Sequence, residues 1–142
     1  MDEVHKPEKS KKKILSLEIG ERYFDVPSAL MRNGIDPSTM EIITAALYTG
    51  EKDKPAAKEF LAYLIKKTSK TNFDLIILQE IQGRGLQSAE AIVGPSRANT
   101  VVMYDWHPID PSIERQYREK GYKIFMSKTE LQENLPKLLG FV

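Results

Sequence analysis

The sequence contains no cysteine. Disulfides, thiolate nucleophiles and cysteine-held zinc are therefore excluded, and a reducing compartment is compatible with the composition. Histidine is almost as scarce, with only His5 and His107, which do not form a metal-ligating spacing. Neither sign of charge is in excess: Lys plus Arg total 21 against 20 for Asp plus Glu, a formal +1. No whole-molecule field thus recommends nucleic acid or an anionic membrane as partner. Long apolar runs are missing too. The longest, such as Leu75 to Leu78, are strand-sized and far below a bilayer span, and the lysine-rich start lacks the apolar block of a secretory signal. What remains is a chain of 142 residues, expected to form one cytoplasmic domain able to bury a core without metals or bridges.

Residues 1–12 carry Lys6, Lys9, Lys11 and Lys12 with Pro7 and Ser10 and almost nothing apolar, too little burial to offset the entropy of ordering. They are expected to be a disordered, solubilising tail, its charge partly cancelled by Asp2, Glu3 and Glu8, with the domain occupying 13–142. Short apolar runs then alternate with helix-period segments. Ile14-Leu15-Ser16-Leu17 reads as a strand. Asp25 caps a helix with Pro27 in its first turn, and Asn33-Gly34 ends it. Met40 to Ala46 is a second strand. Pro55 opens a helix whose Ala57, Phe60, Leu61, Leu64 and Ile65 share one face. Phe73 to Gln79 is apolar on both strand faces, as is Thr100 to Tyr104, which suits central parallel strands covered on each side. Leu86, Ala89, Ile92 and Val93 supply a short helix between them. Asp110-Pro111-Ser112 opens the next helix and Gly121 closes it. Ile124-Phe125 is the last strand, and Ser127 with Glu130 has the spacing of a capping box before Leu131, Leu135, Leu138 and Leu139. Pro136, inside this last helix, is expected to kink it or leave its first half irregular.

Five strands alternating with five helices imply right-handed crossovers and a parallel sheet. The fold class is α/β, a flavodoxin-like three-layer sandwich with a five-stranded sheet of order 2-1-3-4-5. Ligands in this plan sit beyond the carboxyl ends of the strands where the order reverses. Those ends collect Glu18 and Ile19, Gln79 and Glu80, Asp105 and Trp106, and Lys128.

Taken in order, these segments resemble the receiver domains of two-component response regulators, from Lys13 to about Leu139. Lys13 to Ile19 is similar to the family's first strand, which ends on two adjacent acids for magnesium; Glu18 fills the first place and Ile19 replaces the second. Phe73 to Gln79 resembles the third strand, where Gln79 stands in the place of the aspartate that receives phosphoryl. Val101 to Asp105 resembles the fourth, with Asp105 where a threonine or serine usually closes on phosphate. Gly121 to Lys128 follows the fifth, with Phe125 at the place of the switching aromatic and Lys128 at that of the lysine; Thr129 replaces the usual proline. A carboxamide is neither a phosphoryl acceptor nor a charged magnesium ligand, and Ile19 offers no oxygen. A one-residue slip would present Glu80, but strand alternation directs it away from the pocket. The resemblance implies a phosphorylation-independent pseudo-receiver with a vestigial pocket of Glu18, Ile19, Gln79, Asp105, Phe125 and Lys128.

Glu18, Asp105 and Lys128 are read as an internal ion triad holding the strand ends together, so no metal and no cofactor is expected. His107 is read as a loop residue, and Gln82-Gly83-Arg84-Gly85 fits no phosphate-cradling fingerprint; an enzyme is not expected. Partners of receivers commonly dock on the fourth helix, fifth strand and fifth helix. Arg115, Tyr117, Arg118, Tyr122 and Lys123 lie there or beside it, in a mixture that favours recognition. The alternative for Tyr117 is pairing with Ile113 on a buried stripe. The leading expectation is a stand-alone signalling or regulatory module that binds another protein or itself, as a homodimer through that face. The runner-up is a nucleic-acid-associated factor using the tail and the cluster of Arg115, Arg118, Lys120 and Lys123.

Overall fold

The computed structural model describes residues 11–18, 24–46, 55–69, 71–81, 86, 90–91, 97–98, 100–104 and 110–141. Five strands form the main sheet: β1 (Lys12–Glu18), β2 (Met40–Ala46), β4 (Leu75–Gln79), β6 (Val101–Tyr104) and β7 (Lys123–Phe125). All neighbours are parallel, in the order β2-β1-β4-β6-β7. Counted within this sheet, that is the expected 2-1-3-4-5. Two short strands, β3 (Asn72–Phe73) and β5 (Arg97–Ala98), pair separately. The helices are α1 (Val26–Arg32), α2 (Pro55–Thr68), α3 (Pro111–Glu119) and α4 (Lys128–Leu138); Leu86, Glu90 and Ala91 are helical as well.

Strand alternation divides the interior into two cores. Ile14, Leu75, Ile77, Val102, Tyr104 and Phe125 face α1 and α4, where they meet Val26, Ala29, Leu30, Leu131 and Leu135. Leu15, Leu17, Ile76, Leu78, Val101 and Met103 face the other way, onto Leu64 of α2, Tyr117 of α3 and Leu86. Every residue of β4 is buried, because helices take water from both of its faces.

Local chemistry sets the helix ends. The Asp25 carboxylate accepts from the Ser28 amide at 3.0 Å, Asp110 does the same for Ser112 at 2.8 Å, and Ser127 Oγ accepts from Glu130 at 3.1 Å. Each relieves an orphan amide of a first helical turn. Gly34 and Gly121 close α1 and α3 at φ 74° and 79°, a region costly for side chains with Cβ.

Three boundaries differ from the sequence reading. β1 begins at Lys12, paired with Met40, one residue inside the expected tail; residues 1–10 lie outside the described set. The third strand is broken at Asp74, whose carboxylate accepts from the Lys13 amide at 2.8 Å while its own amide donates to the Lys13 carbonyl at 2.9 Å. Asn72 and Phe73 are thereby freed to pair with Arg97 and Ala98. Pro136 does not make the first half of α4 irregular: the helix runs unbroken from Lys128 to Leu138. Proline has no amide to donate to the carbonyl four residues back, and the side chain of Asn33, at the end of α1, supplies the missing donor to Gln132 O at 2.8 Å.

Candidate functional site

Alternation along β1 puts Ser16 and Glu18 on the side of Ile14, facing α1, and alternation along β4 puts Gln79 on the same side as Leu75 and Ile77. Register carries the strand ends together, with Leu17 beside Leu78 and Gln79 beside Tyr104. Glu18 is 5% exposed and Gln79 1%. Tyr104 closes this end of the core: its hydroxyl accepts from the Phe24 amide at 2.9 Å, and the two rings are tilted by 54° at 5.8 Å. Burial pushes the Tyr104 phenol well above its ordinary range; the Phe24 amide opposes this, and the charge of Glu18 adds to it.

Glu18 is a carboxyl in a poor environment for charge. Burial raises its pKa, and the nearby Asp25 carboxylate raises it further. Its Oε1 and the Ser16 Oγ are both buried without a hydrogen-bond partner among the described residues. Gln79, at the strand end where the resemblance expects a nucleophile, is a neutral amide. The two strand ends thus set a buried carboxyl, its pKa raised, on the same side of the sheet as a buried neutral amide.

In register, Tyr104 stands between Gln79 and Phe125. Phe125 is buried against the α1 and α4 core. Lys128, the first residue of α4, lines a cleft of about 430 Å³ with Phe24, Asp25, Arg32 and Met126, between α1 and the first turns of α4. Neither Glu18 nor Gln79 is among its lining residues. Ile19, Asp105, Trp106 and His107 lie outside the described residues, as does the loop from Gln82 to Gly85, and with Asp105 goes the expected triad.

On the expected partner face, Arg115, Arg118 and Lys123 are exposed and Tyr122 is half-buried. Arg118 spends its charge locally, on Glu114 at 2.9 Å. Tyr117 is a correction. It has no exposed surface and cannot present its side chain to a partner, because it lies on the buried stripe of α3. Its hydroxyl donates to Glu80 Oε1 at 2.5 Å, and the Leu86 amide donates to the same oxygen at 3.0 Å. Glu80, 1% exposed, does point away from Gln79, as alternation requires. The sequence reading missed its partner, although an acid directly after a strand covered on both faces demands a buried donor.

No protein-family model matches the chain, and no curated protein matches it. Among solved structures it is similar to a response regulator receiver protein from Burkholderia phymatum, with 15% identity and a TM-score of 0.52 over 93% of this chain and 98% of that one. A second likeness is to a cobalamin-binding protein from Desulfitobacterium hafniense DCB-2, with 11% identity and a TM-score of 0.45 over 92% of this chain and 60% of that one; it is too weak to carry argument. The first shows the fold: a receiver-like, flavodoxin-like α/β sandwich. No helix among the described residues is long and apolar enough to cross a membrane.

Proposed function

We propose that this chain is a pseudo-receiver, a signalling module that works by protein contact and not by aspartyl phosphorylation. The observation that carries the reading is Gln79, a buried carboxamide at the C-terminal end of the central strand. Phosphoryl transfer to a side chain needs a nucleophilic atom, and a carboxamide offers none. Glu18 supports the reading: burial and the Asp25 charge both raise its pKa, and the residue after it, Ile19, offers magnesium no second oxygen.

With the switching chemistry gone, the face of α3, β7 and the head of α4 is what the receiver plan retains. Arg115, Tyr122 and Lys123 are its reachable recognition residues. Its occupant is another protein or a second copy of this chain. Incubation with acetyl phosphate and magnesium, followed by intact mass, tests the central claim: the mass is expected to stay unchanged, and a stable phosphoryl adduct would sink it. Titration with duplex and single-stranded DNA at low salt separates the nucleic-acid reading, which requires binding that weakens steeply as salt rises.

A further inference from the structure

The cleft between α1 and α4 takes its shape from side-chain size and helical spacing. Asp25, Ser28, Ala29 and Arg32, at and after the cap of α1, recur every three or four positions and so share one face; Lys128 and Gln132 do the same on α4. Where the two faces meet, Ser28, Ala29, Ser127 and Thr129 are too short to fill the gap, and a space of about 430 Å³ remains. Ligand pockets begin at roughly 300 Å³, so this one has room for a small organic molecule. Its walls are held in place. Asn33 Nδ2 ties Ala29 O to Gln132 O, at 2.9 and 2.8 Å, and Phe24, which lines the cleft, is fixed by its amide on the Tyr104 hydroxyl at 2.9 Å.

Charge decides what suits this space. Three charged residues line it, Arg32 and Lys128 against Asp25, and the Asp25 carboxylate already accepts the Ser28 amide at 3.0 Å. Arg32, in the last turn of α1, is exposed, and no ion pair to it is found among the described residues. We propose that the cleft binds a small organic oxyanion, its carboxylate or phosphoryl head taken by the Arg32 guanidinium and its apolar body lying against Phe24, Ala29 and Met126. A guanidinium presents paired N–H donors in a fork that matches the oxygens of such a head. Met126 is 57% exposed, so a body that covers it removes apolar surface from water. Because the walls are preformed, binding has little ordering to offset. The inference rests on Arg32 and the cleft, not on Gln79, and stands whether or not the chain is phosphorylated.

NMR titration of the full chain tests it, with phenylphosphonate and phenylacetate as probes. Neither can transfer a phosphoryl group, so failure here leaves the reading of Gln79 untouched. At millimolar probe the amides of Ser28, Arg32, Thr129 and Gln132 should shift and saturate, and the tighter of the two probes identifies the head group. Benzylamine, with the same ring and the opposite charge, should not move them. Arg32→Gln should weaken binding about tenfold. Ser28→Leu, which fills the cleft and leaves Arg32 in place, should abolish it, and Arg115→Gln, on the α3 face, should leave the affinity unchanged. Absence of a saturable shift with either probe would overturn the proposal. So would inorganic phosphate binding as tightly as phenylphosphonate, or a Ser28→Leu variant that binds as well as the wild type, since both would mean an exposed arginine meeting any anion.

Discussion

Glu18 combines burial with an oxygen that no described donor reaches. Folding raises its pKa above the ordinary 4.5, so the fold prefers the protonated acid. Its contribution is fully present below the unfolded value and is lost as pH rises through the raised folded value. Glu18→Gln, neutral at every pH and nearly the same shape, is therefore expected to stabilise the protein by about 1 kcal/mol near neutrality. The gain should shrink toward zero once the pH falls below the ordinary carboxyl range. Urea unfolding of both proteins across that range measures it, and a gain that does not depend on pH would contradict the assignment. Gln79, two strands' ends away in sequence but on the same side of the sheet, carries no such dependence, since its amide does not titrate.

The joint between α1 and α4 shows how one helix repairs another. Pro136 leaves Gln132 O without its usual donor, and Asn33 Nδ2 serves both that carbonyl, at 2.8 Å, and Ala29 O, at 2.9 Å. Asn33→Ala is expected to cost about 1–2 kcal/mol, because it strips a helix end and strands a carbonyl in another element. In a Pro136→Ala background the new amide at 136 serves Gln132, so the same Asn33 substitution should cost about 1 kcal/mol less. A double-mutant cycle by denaturant unfolding reads the coupling directly; strict additivity would mean that the cross-helix bond contributes nothing. Asp74 plays a comparable part for the sheet, giving Lys13 a side-chain acceptor and a backbone donor where β3 leaves the ladder.

For the molecule as a whole, near-neutral charge makes association a matter of local patches. The exposed face at α3 and β7 carries Arg115, Lys120 and Lys123, with Arg118 neutralised by Glu114. A second copy would meet this face with the same sign of charge, whereas an acidic partner would complement it. Light scattering across protein and salt concentrations distinguishes the two. A homodimer through this face should strengthen as salt screens the repulsion, and Arg115→Glu should shift its dissociation constant by several-fold. A mass that stays monomeric at all concentrations would rule out the second copy as the occupant.

Periodicity and end signals were enough to place the main sheet, its parallel sense and the helices that flank it, because doubly buried strands such as β4 and caps such as Asp25, Asp110 and Ser127 act over a few residues. They also put Gln79 at the sheet's edge and turned Glu80 to the opposite face. What they did not contain were the long-range partners: Tyr117 with Glu80, Asn33 with Gln132, Tyr104 with Phe24, and Asp74 with Lys13. These pairs span 37 to 99 positions. A hydrogen bond at such separation depends on where packing brings two elements, and no local pattern records that, which is why an apparent recognition tyrosine proved to be the anchor of a buried acid.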